Sequence, residues 1–69
     1  MSLTVETDRE KDGRWIADVP ELPGVLVYGE TREQAIVFAE ALALRVIAER
    51  LENGEAFPDV TSQLFSVAA

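Results

Sequence analysis

The chain has 69 residues, 48% of them hydrophobic, with 13 acidic against 6 basic side chains and neither cysteine nor histidine. A net charge of −7 argues against direct binding to nucleic acid, whose phosphates need a basic surface, and fits a soluble protein or one that meets a basic partner. Without cysteine and histidine there is no disulfide framework, no His-based catalytic triad and little scope for zinc.

Residues 3–7 alternate apolar and polar, with Leu3 and Val5 on one face, and read as a strand. Asp12-Gly13 closes a charged stretch and marks a turn. Residues 14–19, RWIADV, form a second strand with Trp15, Ala17 and Val19 on one face and Ile16 on the other. Pro20 ends it, because proline cannot donate to a sheet ladder. Pro20-Glu21-Leu22-Pro23-Gly24 then makes a stiff connector that reverses the chain, its prolines setting φ and Gly24 open to a positive φ. Residues 25–30, VLVYGE, are a third strand with Val25 and Val27 opposite Leu26 and Tyr28. Thr31-Arg32-Glu33-Gln34 fits a capping box, and the helix it opens runs unbroken from Arg32 to Glu52. Asn53-Gly54, with Pro58 beyond, supplies the stop. Residues 62–67, SQLFSV, alternate again and read as a last strand. The expected order is βββαβ, an α+β domain spanning residues 1–69 with one long helix packed on one face of the sheet.

The helix carries more apolar surface than one sheet can cover. Ala35, Ile36, Ala39, Ala43, Val46 and Ile47 form the natural core face. Val37, Ala41, Leu44, Ala48 and Leu51 cluster separately at 4-3-4-3 spacing, either widening the core stripe or forming a second contact face. The sheet repeats the pattern, since Ile16, Leu26 and Tyr28 fall on the side turned away from the helix and make an apolar patch of the kind that marks an interface. The candidate interface residues are therefore Ile16, Leu26 and Tyr28 on the sheet and Val37, Leu44 and Leu51 on the helix. A domain this small is marginal by itself, burying only about 60% of its unfolded surface. With no disulfide available, a homo-oligomer, dimer or tetramer, is the simplest staple.

Catalytic chemistry finds little support. No serine or threonine has a histidine partner, and the one lysine, Lys11, lies in a charged turn. Asp18 and Glu30 are the nearest thing to a carboxylate metal pair, on strand positions expected to lie close together, and are a weak signal. No enzyme activity, cofactor or metal is expected. No apolar run approaches the roughly 18 residues that cross a bilayer. The N-terminus, MSLTVETDREKDG, lacks the basic flank and apolar core of a signal peptide, so a cytoplasmic location is expected.

The stretch DGRWIADVPELPGVLVYGETREQA resembles the N-terminal signature of HicB-like antitoxins. The matching positions are Asp12, Gly13, Trp15, Ala17, Val19, Pro20, Leu22, Pro23, Gly24, Gly29, Thr31, Gln34 and Ala35, and the likeness continues through Ala39, Glu40 and Ala41. The resemblance implies a partial RNase H-like βββαβ fold with a mixed sheet of order 3-2-1-4, the last strand parallel to the first. It also implies neutralisation of a small basic HicA-type mRNA interferase by covering it. Gln34 stands where the family more usually has Glu, and the sequence after the last expected strand carries no basic segment, so operator binding is not carried over. The expected function is that of a HicB-like antitoxin or antitoxin-derived module. The alternative is an orphan self-associating module, an adaptor or regulator without a toxin.

Overall fold

Strand β1 (Glu6–Arg9), strand β2 (Trp15–Asp18), strand β3 (Leu26–Gly29) and helix α1 (Arg32–Glu52) follow one another in a computed structural model that describes residues 3–55, 61 and 63–68. The sheet order is β1-β2-β3, antiparallel throughout, with Ile16 opposite both Asp8 and Tyr28, and Ala17 opposite both Thr7 and Val27. The helix packs across one face of all three strands. This is the α+β class expected, with one long helix on one side of the sheet.

Turn chemistry sets the two strand reversals. Between β1 and β2 the Asp12 carboxylate accepts from the Arg14 backbone N–H at 3.1 Å, and Gly13 takes φ +92°, a region that L side chains avoid. Between β2 and β3 the Leu22 N–H donates to the Val19 carbonyl at 2.9 Å, and the Val25 N–H to the Leu22 carbonyl at 3.0 Å. This tight double turn, with Gly24 at φ +95°, swings Leu22 inward. Leu22 is only 1% exposed and heads the core, which also holds Ala17, Val19, Val25, Ala35, Ala39, Ala43 and Ile47. A residue that reads as part of a connector is thus the largest fully buried side chain.

The helix forms where its ends predict. The Thr31 hydroxyl accepts from the Gln34 N–H at 3.0 Å, satisfying a donor that a bare helix start would leave open, and the Gln34 side chain reaches back one residue past the cap to accept from the Glu30 N–H at 2.7 Å. At the other end the Gly54 N–H reaches the Leu51 carbonyl and the Glu55 N–H the Arg50 carbonyl, with Gly54 at φ +83°. That pair of bonds is the Schellman closure expected of Asn53-Gly54; Pro58 lies outside the described residues. Ile36 and Val46, at the margins of the buried alanine stripe, are half-buried.

Two expectations are corrected. Residues 3–5 do not pair in the sheet, although Leu3 and Val5 still pack against the core; the strand begins only at Glu6. The last strand, expected over residues 62–67, is absent from its described residues. Gln63 and Leu64 are helical, the Phe65 N–H donating to the Thr61 carbonyl at 2.8 Å, and residues 65–68 are irregular; Ser62 lies outside the described residues. The described sheet therefore has three antiparallel strands, and the mixed four-stranded order 3-2-1-4 is not seen. Alternation in so short a segment specifies faces only when a neighbouring strand pairs with it, and one local i→i+4 bond competes with that pairing.

Candidate functional site

The sheet face turned away from α1 is built by cross-strand register. Residues opposite one another share a face, so Asp8, Ile16 and Tyr28 form one row, and Glu6, Asp18 and Leu26 the next. The face grades from acidic at β1 to apolar at β3. Ile16 and Asp18 are half-buried, whereas Leu26 and Tyr28 stand 50% and 44% exposed. Arg14 caps the apolar end, its guanidinium 4.6 Å from the Tyr28 ring centroid while its Nε donates to Asp12 at 2.8 Å. The backbone hydrogen bond from Arg14, ahead of its side-chain contact, holds the Asp12 carboxyl below the usual aspartate range. Arg9 sits 5.9 Å from the ring of its cross-strand neighbour Trp15.

The second candidate set lies in the other layer. Val37, Leu44 and Leu51 recur every seven residues on α1 and are 41–58% exposed. Of the other members of that stripe, Ala48 is exposed and Ala41 half-buried. Leu44 also borders an apolar groove of about 200 Å³ with Leu3, Val5, Val19, Ala43 and Glu40. The loop that carries Leu22 is tied beside this groove. Glu21 accepts from the Thr4 hydroxyl at 2.7 Å and from the Thr4 N–H at 3.1 Å, and these bonds, the hydroxyl's foremost, lower the Glu21 carboxyl from its ordinary value. The structure thus brings Ile16, Leu26 and Tyr28 together, and Val37, Leu44 and Leu51 together, but on separate layers.

A third surface was not legible in the sequence. Leu26, Val27 and Tyr28 of β3 border an open groove of about 590 Å³ whose other wall is Phe38, Ala41, Leu42 and Arg45 of α1. By helical period Gln34, Arg45, Glu49 and Glu52 mark the polar side of the helix, and Phe38 shares it; only the placement of β3 turns Phe38 and Arg45 into a wall.

Asp18 and Glu30 are not brought together. Asp18 lies opposite Leu26, and Glu30 is four residues further along, roughly 13 Å at strand rise. Among the described residues no group of three or more acidic side chains is placed to hold a metal ion. None of their helices is long and apolar enough to cross a membrane.

These features define a small α+β domain, three antiparallel strands backed by one long helix, with apolar surface left uncovered on both layers. Over its full length the chain is 30% identical to the UPF0150 protein Ta0767 of Thermoplasma acidophilum, in an alignment of 70 residues that also covers all of that protein. The chain belongs to the UPF0150 family. No family model and no solved structure matches it.

Proposed function

We propose that this chain is a protein-binding module of the HicB-like antitoxin type, acting in the cytoplasm by covering a small basic HicA-type mRNA interferase. The observation that carries the reading is the open sheet face, where carboxylates of Glu6, Asp8 and Asp18 border the apolar group Ile16, Leu26 and Tyr28. A basic partner is drawn in by the acidic half and desolvated against the apolar half, a division of labour in which charge sets approach and orientation and apolar burial supplies affinity. The net charge of −7 extends the attraction beyond the contact itself. The signature running from Asp12 to Ala35 supports the same reading. On this reading the module acts by occlusion and needs neither metal nor cofactor.

The exposed stripe Val37, Leu44 and Leu51 favours a second reading, an orphan self-associating module. The deciding experiment is a tagged pull-down from the native host, with the recovered complex weighed by native mass spectrometry and any captured protein assayed for mRNA cleavage. The antitoxin reading expects a small basic ribonuclease in fixed ratio, silenced by the wild-type chain and released by Asp8→Lys with Asp18→Lys. Recovery of the chain without such a ribonuclease refutes it, as does inhibition that the double charge reversal leaves intact.

A further inference from the structure

We infer that a second copy of this chain docks on the open edge of β3, pairing β3 with β3 and closing the groove walled by Phe38, Ala41, Leu42 and Arg45. The two edges of the sheet are unlike. On β1, Glu6, Asp8 and Arg9 place a charge at three of four positions, the usual guard against edge-to-edge pairing. On β3, Leu26-Val27-Tyr28-Gly29 carries no charge and no proline.

The backbone of that edge is directed outward in a definite way. The Val19 N–H donates to the Val25 carbonyl, so Val25 and, two residues on, Val27 point their backbone groups at β2. The N–H and C=O of Leu26 and Tyr28 therefore point away from the sheet. In an antiparallel pair centred on Val27, Leu26 of each copy faces Tyr28 of the other, and all of these edge groups are satisfied. Two Leu26–Tyr28 pairs then meet on the open face across the new seam. The result is a six-stranded sheet with both helices on one side, their Phe38 and Leu42 flanks adjacent.

Charge selects a second copy as the occupant over a basic partner. The groove lining contains no carboxylate and one cation, Arg45, in a chain of net charge −7. An equally acidic copy can approach where carboxylates are missing, whereas a basic protein is drawn to the acidic end of the sheet at β1. Glu49, one turn beyond Arg45 on the same flank, offers the guanidinium of the other copy an opposite charge. Among the described residues Arg45 makes no ion pair within its own chain.

The test uses the full chain alone, so it stands or falls without the proposed toxin. Sedimentation at about 1 and 100 µM brackets a micromolar association. The expected mass at the upper concentration is twice the 7.6 kDa of one chain. Arg45→Glu, which puts an acid into the groove, and Tyr28→Pro, which removes an outward donor without touching the β2 ladder, each return it to one chain while the helical circular dichroism signal persists. Amide exchange supplies a second readout: the Leu26 and Tyr28 amides are protected in the dimer and open in Arg45→Glu, while the Val27 amide, bonded to β2, is protected in both. A wild type of single-chain mass at the upper concentration overturns the inference. So does a dimer that survives Arg45→Glu, or one in which the Leu26 and Tyr28 amides exchange freely.

Discussion

Replacing Gly29 by alanine sets two effects of known size against each other. Gly29 does not occupy the left-handed region, so its backbone accepts an L residue, and stiffening the unfolded chain by a Gly→Ala change favours folding by about 0.4–1 kcal/mol. Sterics oppose this. A Cβ built on Gly29 lies 2.6 Å from the Ala35 nitrogen, 2.9 Å from its Cα and 3.1 Å from its Cβ. The closest approach falls 0.8 Å short of the 3.4 Å of ordinary contact (3.4 − 2.6), and the obstructing atoms are helix backbone, which cannot rotate away. Overpacking of this kind costs about 1–3 kcal/mol, so the net expectation is a loss of about 1–2 kcal/mol. A domain of this size has only about 3–10 kcal/mol in total. With a urea slope near 1 kcal/mol/M, the midpoint falls by about 1–2 M. The double variant Gly29→Ala with Ala35→Gly does not recover the loss, because only the longest of the three contacts involves the Ala35 side chain. A Gly29→Ala midpoint at or above wild type, or full rescue by Ala35→Gly, refutes the claim that the β3 to α1 corner is set by backbone contact.

Leu22→Ala removes a side chain that is 1% exposed and is expected to cost about 2–5 kcal/mol, whereas Leu26→Ala on the open face costs about 1 kcal/mol or less; equal losses in urea melts would show that the connector does not seal the core. Glu21 gives a pH signature. Its folded carboxyl holds a proton more weakly than the unfolded one, so below the ordinary glutamate value, about 4.3, the unfolded chain binds more protons and stability falls as pH drops through the lowered folded value. Melts of wild type and Glu21→Gln from neutral to acid pH are expected to diverge above that window and converge below it, and parallel curves would refute the Thr4–Glu21 tie.

Local chemistry was readable residue by residue. The Thr31–Gln34 box, the Asn53-Gly54 stop, the Asp12-Gly13 turn, the positive φ of Gly24 and the two faces of β2 and β3 all depend on neighbours within about four residues, a range in which side-chain type largely decides backbone conformation. The candidate patches Ile16, Leu26, Tyr28 and Val37, Leu44, Leu51 followed from the same periodicities. Their placement on two layers followed too, one set on the sheet face turned away from the helix and the other on the helix, but what covers each did not, because period says only which residues share a face.

Only the tertiary structure decided the rest. Leu22 looks like a turn residue until the Val19–Val25 bonds fold its loop over the core, and Glu21 looks like a surface charge until Thr4 arrives from 17 positions away. The alternation over residues 62–67 promised a strand that the described residues do not form. A strand needs a partner edge, and an alternating sequence is the same with or without one. The groove beside β3 arises likewise from the packing of a strand against a helix whose Phe38 and Arg45 appear, in sequence, to belong to the wet side. Short-range preferences thus set the helix, its caps and the turns, while the strands also needed a partner edge. Which surfaces stay open depends on contacts between residues distant in the chain, and no local pattern encodes them.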